Sequence, residues 1–468
     1  MTQREIQHLY LRAGFGAHIQ SVRQSANLER ARLVDLIFEQ SSKPTLLNVV
    51  RIPTADELQM AMKKDHTPEE KKMLKEYRKE EDRNLNIAWL KKIFSGAEML
   101  NEKMTFFWHD HFACKDNNPL HAQSLNNAIR RNALGSFKEL LTAVSKEPAM
   151  LKFLNNQQNK KNAPNENFAR EVMELFTLGR EHYSEADIKN AARAFTGWSF
   201  NRMEGTFEFK EKQHDYGEKV FLASNGGFNG DDILRIITEQ HQCAYFITDK
   251  IYRYFVHEAG NNKRVEQLAT DFYNSKYDIA ALMHSIYTAD WFYEPENIGS
   301  RIKSPIELMA SLARHFEPTF GNDGTLIYIQ RILGQELGNP PNVAGWPNGK
   351  EWIDSSSLIF RLSLGKKLID AAEINATLKP DDDKMPNEMV KKGKGFGQLQ
   401  ASIQWSLLAK ELAATNDGEL MAKVNDYLLQ IDMPKATMAS IKLTGNSIEE
   451  KIKQLCSIVT ALPEYQLC

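Results

Sequence analysis

Ala97-Glu-Met-Leu-Asn-Glu-Lys-Met-Thr-Phe-Phe-Trp-His-Asp-His-Phe112 reads as one helix with no polar face. Met99, Leu100, Met104, Phe106, Phe107, Trp108 and Phe112 cover most of its circumference, and a helix apolar all round is one that other elements surround. Upstream, Thr67-Pro68 opens a long helical pattern running to about Phe94. Its first half, Glu69 to Arg83, mixes charges at i,i+4 as a solvated face does. Earlier still, Leu28, Ala31, Val34 and Ile37 fall at helical steps within Asn27–Gln40, closed by Pro44.

Downstream, helical patterns recur at Asp231–Gln240, Ala244–Phe255, Arg264–Asn274, Asp278–Thr288 and Pro305–His315. Short helices at such spacing predict a mainly α, multi-helical assembly. The period changes between Trp198 and Leu222, where Phe207-Glu-Phe209 alternates after the Glu204-Gly205 turn. A short β-hairpin insertion near residues 197–222 is expected there, as the only sheet. Gly334 to Gly349 holds three prolines and four glycines, which predicts a loop, structured if Trp346 packs. Lys379 to Gly397 reads as a linker. The expected organisation is a main helical domain over 1–378, the linker 379–397, and a C-terminal helical bundle over 398–468 packed on the main domain.

The chain has 468 residues, with 59 Lys and Arg against 61 Asp and Glu, so no global field favours a nucleic acid. At 42% hydrophobic and 26% charged it lies far from the disordered range. Cys114, Cys243, Cys456 and Cys468 show neither a CxxC pair nor zinc-ribbon spacing, which suits a reducing compartment. No run approaches the roughly 18 apolar residues of a membrane span. With no signal peptide visible near Met1, a soluble, cytoplasmic chain is expected. A Walker loop, a Gly-x-Ser-x-Gly elbow, His-Glu-x-x-His and a dinucleotide fingerprint are all missing from the sequence.

Three polar clusters remain for chemistry. His109 and His111 lie about 200° apart if the helix continues through them, but side by side if it opens after Trp108, when His-x-His becomes a two-nitrogen clamp for Zn, Mn or Fe. In the second cluster, Pro164 and Gly179 frame a helix whose stripe carries Asn167, Arg170, Glu171 and Glu174 beside apolar neighbours. Carboxylates so placed need a cation, supplied by Arg170, Arg193 or a metal ion. Glu166 is expected to cap that helix, and Ser184 with Asp187 to cap the next. The third cluster is His214-Asp215, at the hairpin end, a ligand pair or a local hydrogen bond. Arg301 and Lys303, before Ser304-Pro305 at a helix start, suit an anionic group.

Leu11-Arg-Ala-Gly-Phe-Gly16, Trp108-His-Asp-His-Phe112, Pro164-Asn-Glu-Asn-Phe-Ala-Arg-Glu171, Ala192-Arg-Ala-Phe-Thr-Gly-Trp198, Lys303-Ser-Pro305 and Pro340-Pro-Asn-Val-Ala-Gly-Trp-Pro347 follow one another along the chain. In this order the six resemble the motifs of a bacterial family catalogued as a domain of unknown function, number eighteen hundred. The resemblance runs from Ile6 to Leu467 and implies a bacterial helical protein, with no particular activity. It further implies that similar proteins are often exported and encoded beside a sulfatase-related family, a possible source of a protein partner.

Two function classes follow from the residues. In the first, a metal-dependent hydrolase or oxidase holds a divalent ion (Zn, Mn or Fe) with His109, His111, Glu171, Glu174, His214 and Asp215. Glu171, Glu174 and Arg193 are then the catalytic candidates, and Arg170, Trp198, Arg301, Lys303 and Trp346 the substrate-binding ones. In the second, a non-catalytic scaffold for a partner protein uses the same His, Glu and Arg residues as a buried structural network. A metal-free glycan-active enzyme with Glu171 and Glu174 as paired carboxylates is a third class.

Overall fold

Thr67 and Glu70 cap each other reciprocally, and Pro68 follows at the first helical position, so the Pro68–Ser95 helix starts where the sequence indicates. Gly96, at φ 67°, ends it in the left-handed region. The computed structural model describes residues 1–63, 65–371, 373–374, 396–398 and 400–468. It is mainly α, and the expected helices are present as Arg30–Ser41, Met99–His111, Gly230–Thr238, His241–Phe255, Asn262–Asn274, Ile279–Thr288 and Pro305–Phe316. Among the described residues no helix is long and apolar enough to cross a membrane.

The Met99–His111 helix is apolar all round because it stands between two cores. Leu100, Met104, Phe107 and Trp108 belong to one that gathers residues from Ile6 to Tyr293. Phe106 turns to the other, built from Phe15, Leu85–Ile93, Ile306–Leu337 and the helices beyond Phe360. Trp108 is fully enclosed, with Nε1 donating to Ala133 O at 3.0 Å. Burial of a side chain that size contributes on the order of 4 kcal/mol, before the entropy of fixing it is subtracted.

Past residue 400, the helices Trp405–Glu411, Asp417–Leu428 and Ile448–Thr460 return to the second core. Ser355–Ile369 packs on Ile448–Thr460 so closely that a Cβ on Gly365 would lie 2.3 Å from Thr460 Oγ1. Residues 379–395 of the expected linker lie outside the described residues.

The expected hairpin is present, Trp198–Asn201 against Thr206–Phe209. That it is the only sheet is corrected. Lys219–Phe221 pairs with Ser224–Gly226, Thr319–Phe320 with Ala401–Ser402, and Glu373–Ile374 with Phe396–Gln398. Strands of two or three residues leave no periodicity to read, and the second of these pairs forms only because distant segments pack together.

The helix expected from Pro164 to Gly179 is shorter, Asn167–Glu174. Beyond Glu174 the turns widen. Phe176 N donates to Glu171 O at 3.1 Å, Leu178 N to Met173 O at 2.8 Å, and Thr177 Oγ1 to Val172 O at 2.6 Å, before Gly179 reverses the chain at φ 80°. Glu166 does not cap it. Asn165 Oδ1 accepts from Asn167 N at 3.0 Å, and Glu166 instead lies 3.3 Å from Arg170. The Ser184–Asp187 cap is present as expected.

Candidate functional site

The helix holding the His109-Asp110-His111 run stays helical through His111, so the three side chains leave it in different directions. His109 is buried between Trp89 and Trp346, with ring centroids 4.9 and 6.0 Å away, and neither of its nitrogens has a hydrogen-bond partner. Burial, and then the charge of Arg130, push it down to about 4. His111 Nε2 donates to Phe176 O at 3.1 Å, while Nδ1 accepts from Lys250 Nζ at 3.3 Å. Burial and the adjacent ammonium keep this imidazole neutral.

Asp110, between them, is half-buried and meets the Gly334–Gly349 loop. Its Oδ1 accepts the main-chain N–H of Trp346 at 2.7 Å. A Cβ on Gly345 would lie 2.4 Å from that oxygen, so only glycine, here at φ 90°, lets the loop sit on the carboxylate. The loop is structured, and Trp346 is buried. Together they roof a crevice bordered by Asp110, Tyr254, Arg301, Gln335, Trp346 and Trp352. Its free space of about 10 Å³ admits roughly one water. Removal from solvent raises the Asp110 carboxyl to about 6, and Lys250, lowered by burial to about 8, is the cation that opposes the shift.

Arg301 lines the same crevice. Its Cζ lies 4.3 Å over the Tyr254 ring, and its Nη1, 3.6 Å from Glu307 Oε1, makes no hydrogen bond. Glu307 is the buried carboxylate of this region. Lys103 Nζ donates to it at 2.6 Å, Tyr254 Oη at 3.2 Å and Ser304 N at 2.8 Å. Against the burial penalty, Lys103 and Arg301 hold it well below the usual carboxylate range. Lys303 lies behind, donating to Tyr465 O at 2.8 Å, and burial lowers it to about 8.

The other sequence candidates lie elsewhere. Arg170 forms a two-point pair with Glu185, both contacts at 3.0 Å. Glu174 accepts from Arg180 at 2.7 Å and from Tyr183 Oη at 3.0 Å. Glu171 is half-buried with no arginine of its own, and burial, then Glu174, raise its carboxyl. Arg193 grips Asp215 at 2.7 and 3.3 Å, and His214 Nδ1 donates to Thr196 O at 2.8 Å. Trp198 packs among Phe168, Phe195 and Phe207. Among the described residues, no three His, Cys, Asp or Glu side chains come together as a set able to hold a metal.

Of the sequence candidates, the crevice therefore joins Arg301 and Trp346, with Lys303 behind them. Asp110, Tyr254, Glu307 and Gln335 were not singled out by sequence reasoning. Asp110 stood inside a quoted motif, and its one legible signal was a carboxylate at the end of a helix otherwise wholly buried.

A family model described as "Protein of unknown function (DUF1800)" matches residues 8–467, and the chain belongs to that family. No curated protein and no solved structure matches it.

Proposed function

We propose that this chain is a small-ligand-binding protein of the acid–base type, working through the crevice under the Trp346 loop. Asp110 is the group that exchanges a proton with the ligand, and Arg301 its anchor. One observation carries the reading. A half-buried carboxyl raised to about 6 shares a crevice with a buried arginine whose Nη1 makes no hydrogen bond, beneath a loop that sits directly on the carboxylate. A carboxyl poised near neutral pH takes and gives a proton within the working range, which general acid–base chemistry needs. The helical assembly supplies rigidity, and the loop excludes water.

The expected divalent ion enters this reading only as a test, because the imidazoles and carboxylates proposed as its ligands lie in separate places among the described residues. Elemental analysis of protein purified without chelators decides the point. Stoichiometric metal lost in the His111→Ala, Glu171→Ala double variant would restore the metal-dependent hydrolase or oxidase.

A second reading, the scaffold for a partner protein, is favoured by the two-point pairs Arg170–Glu185, Arg193–Asp215 and Arg130–Glu102. The sulfatase-related protein implied by the resemblance is the partner to try. A thermal-shift screen of a metabolite library separates the two. The pocket reading expects compounds that stabilise the wild type and lose their effect in both Asp110→Asn and Trp346→Ala. A screen with no compound sensitive to either change would leave the scaffold.

A further inference from the structure

Positive charge is buried around residues 301–307 in excess of the negative charge that meets it. Arg12, Lys103, Arg301, Lys303 and Arg361 are each at most 8% exposed. The carboxylate set among them is Glu307, 2% exposed, which Lys103 already occupies at 2.6 Å. Cys468 and Tyr254 are the other groups whose ionisation would offset Arg301. The guanidinium groups are under-used as donors. Arg301 Nη1, ion-paired with Glu307 at 3.6 Å, makes no hydrogen bond, and neither do Nε and Nη1 of both Arg12 and Arg361. The remaining donors go to single oxygens: Arg12 Nη2 to the main-chain oxygens of Asn297 and Cys468 and to Ser300 Oγ, Arg361 Nη2 to Lys303 O, with Cys468 also offsetting the charge of Arg12, Lys103, Arg301 and Lys303.

Uncompensated cations are expensive away from water, and a buried guanidinium with free N–H groups is the usual receptor for a planar or tetrahedral oxyanion. Of the five, Arg301 borders the crevice, with Ser304 beside it at the start of the Pro305–Phe316 helix. That helix start adds its own positive end to the field.

Resting on the pocket reading above, we infer that the crevice binds the oxyanion of its ligand, a carboxylate or phosphate group, with Arg301 as the direct donor and the other buried cations supplying the field. The anion would displace the water-sized space and lift the Trp346–Asn348 turn.

The test uses the full chain with two probes, inorganic phosphate and succinate, against sodium chloride at matched ionic strength. Saturable thermal stabilisation by one of them, with apparent affinity weakened about tenfold or more in Arg301→Gln and partly kept in Arg301→Lys, is expected. Which probe acts tells phosphate from carboxylate. Both acting as chloride does, or acting equally on wild type and Arg301→Gln, would overturn the inference. Should Arg301→Gln fail to fold, wild-type crystals soaked in selenate decide. An anomalous selenium peak within hydrogen-bond distance of the Arg301 guanidinium is expected, and its absence there overturns the assignment. Failure of the anions while other compounds still depend on Asp110 and Trp346 sinks this inference alone. Failure of every compound sinks the pocket as well.

Discussion

Asp110 Oδ1 and the main-chain N–H of Trp346, 236 residues apart, are joined by a 2.7 Å hydrogen bond that fastens the proline- and glycine-rich loop to the end of the most buried helix region. The bond favours the carboxylate, yet burial prevails and raises the carboxyl to about 6. Its native pKa therefore lies above the unfolded value, so stability falls as pH rises from about 4 to 6 and stays lower above that.

Asp110→Asn keeps the acceptor for Trp346 and removes the charge. It should stabilise the protein at pH 7.5 by about 1 kcal/mol, discounted for partial solvation, and have little effect at pH 4. Urea unfolding at the two pH values measures this, and a destabilised variant at pH 7.5 would contradict it.

His109 gives the opposite slope. Its native pKa of about 4 lies below the unfolded value near 6.5, so stability is full above pH 6.5 and is lost as pH falls toward 4, by up to about 3 kcal/mol. His109→Phe fills the slot between Trp89 and Trp346 without orphaned nitrogens. The expected result is a gain of about 1 kcal/mol at pH 7 and a larger gain at pH 4.5, read as urea midpoints.

Gly345→Ala and Gly338→Ala both place a side chain at positive φ, but only the first would meet an atom, Asp110 Oδ1 at 2.4 Å. Gly338→Ala should cost about 1 kcal/mol and Gly345→Ala about 3, with faster proteolysis between residues 334 and 352 in the latter. Equal effects would show that the loop does not rest on Asp110.

Glu307→Gln should destabilise by about 3–5 kcal/mol, more than Lys103→Met. The first change removes the carboxylate from a surplus of cations; the second leaves Glu307 still facing Arg301 at 3.6 Å. Thermal unfolding of the two variants gives the order, and the reverse order would mean the surplus is neutralised in some other way.

Much of the fold was legible because its signals are local. The Thr67-Pro68 helix start, the capping pair Ser184–Asp187, the apolar circumference around Trp108 and the Phe207–Phe209 alternation each lie within a few residues, and each became the element expected. Glu166 was misread for a local reason: Asn165, one residue earlier, provides the shorter side chain that reaches the Asn167 N–H. Beyond Glu174, the wide turns depend on Thr177 bonding back to Val172 O, a competition that periodicity does not display.

The sequence by itself determined that the chain is helical, that the Met99–His111 segment is enclosed, and that Trp346 lies in a loop, because hydrophobic period and turn chemistry act over a few residues. Tertiary structure alone decided which polar groups face one another. It set the Asp110 carboxylate on the main chain of the loop, gave Arg170 and Arg193 their own carboxylates, and gathered Arg12, Lys103, Arg301, Lys303 and Arg361 around Glu307. Charge interaction depends on distance and on exclusion of water, and both arise only when residues hundreds of positions apart are packed into the same volume.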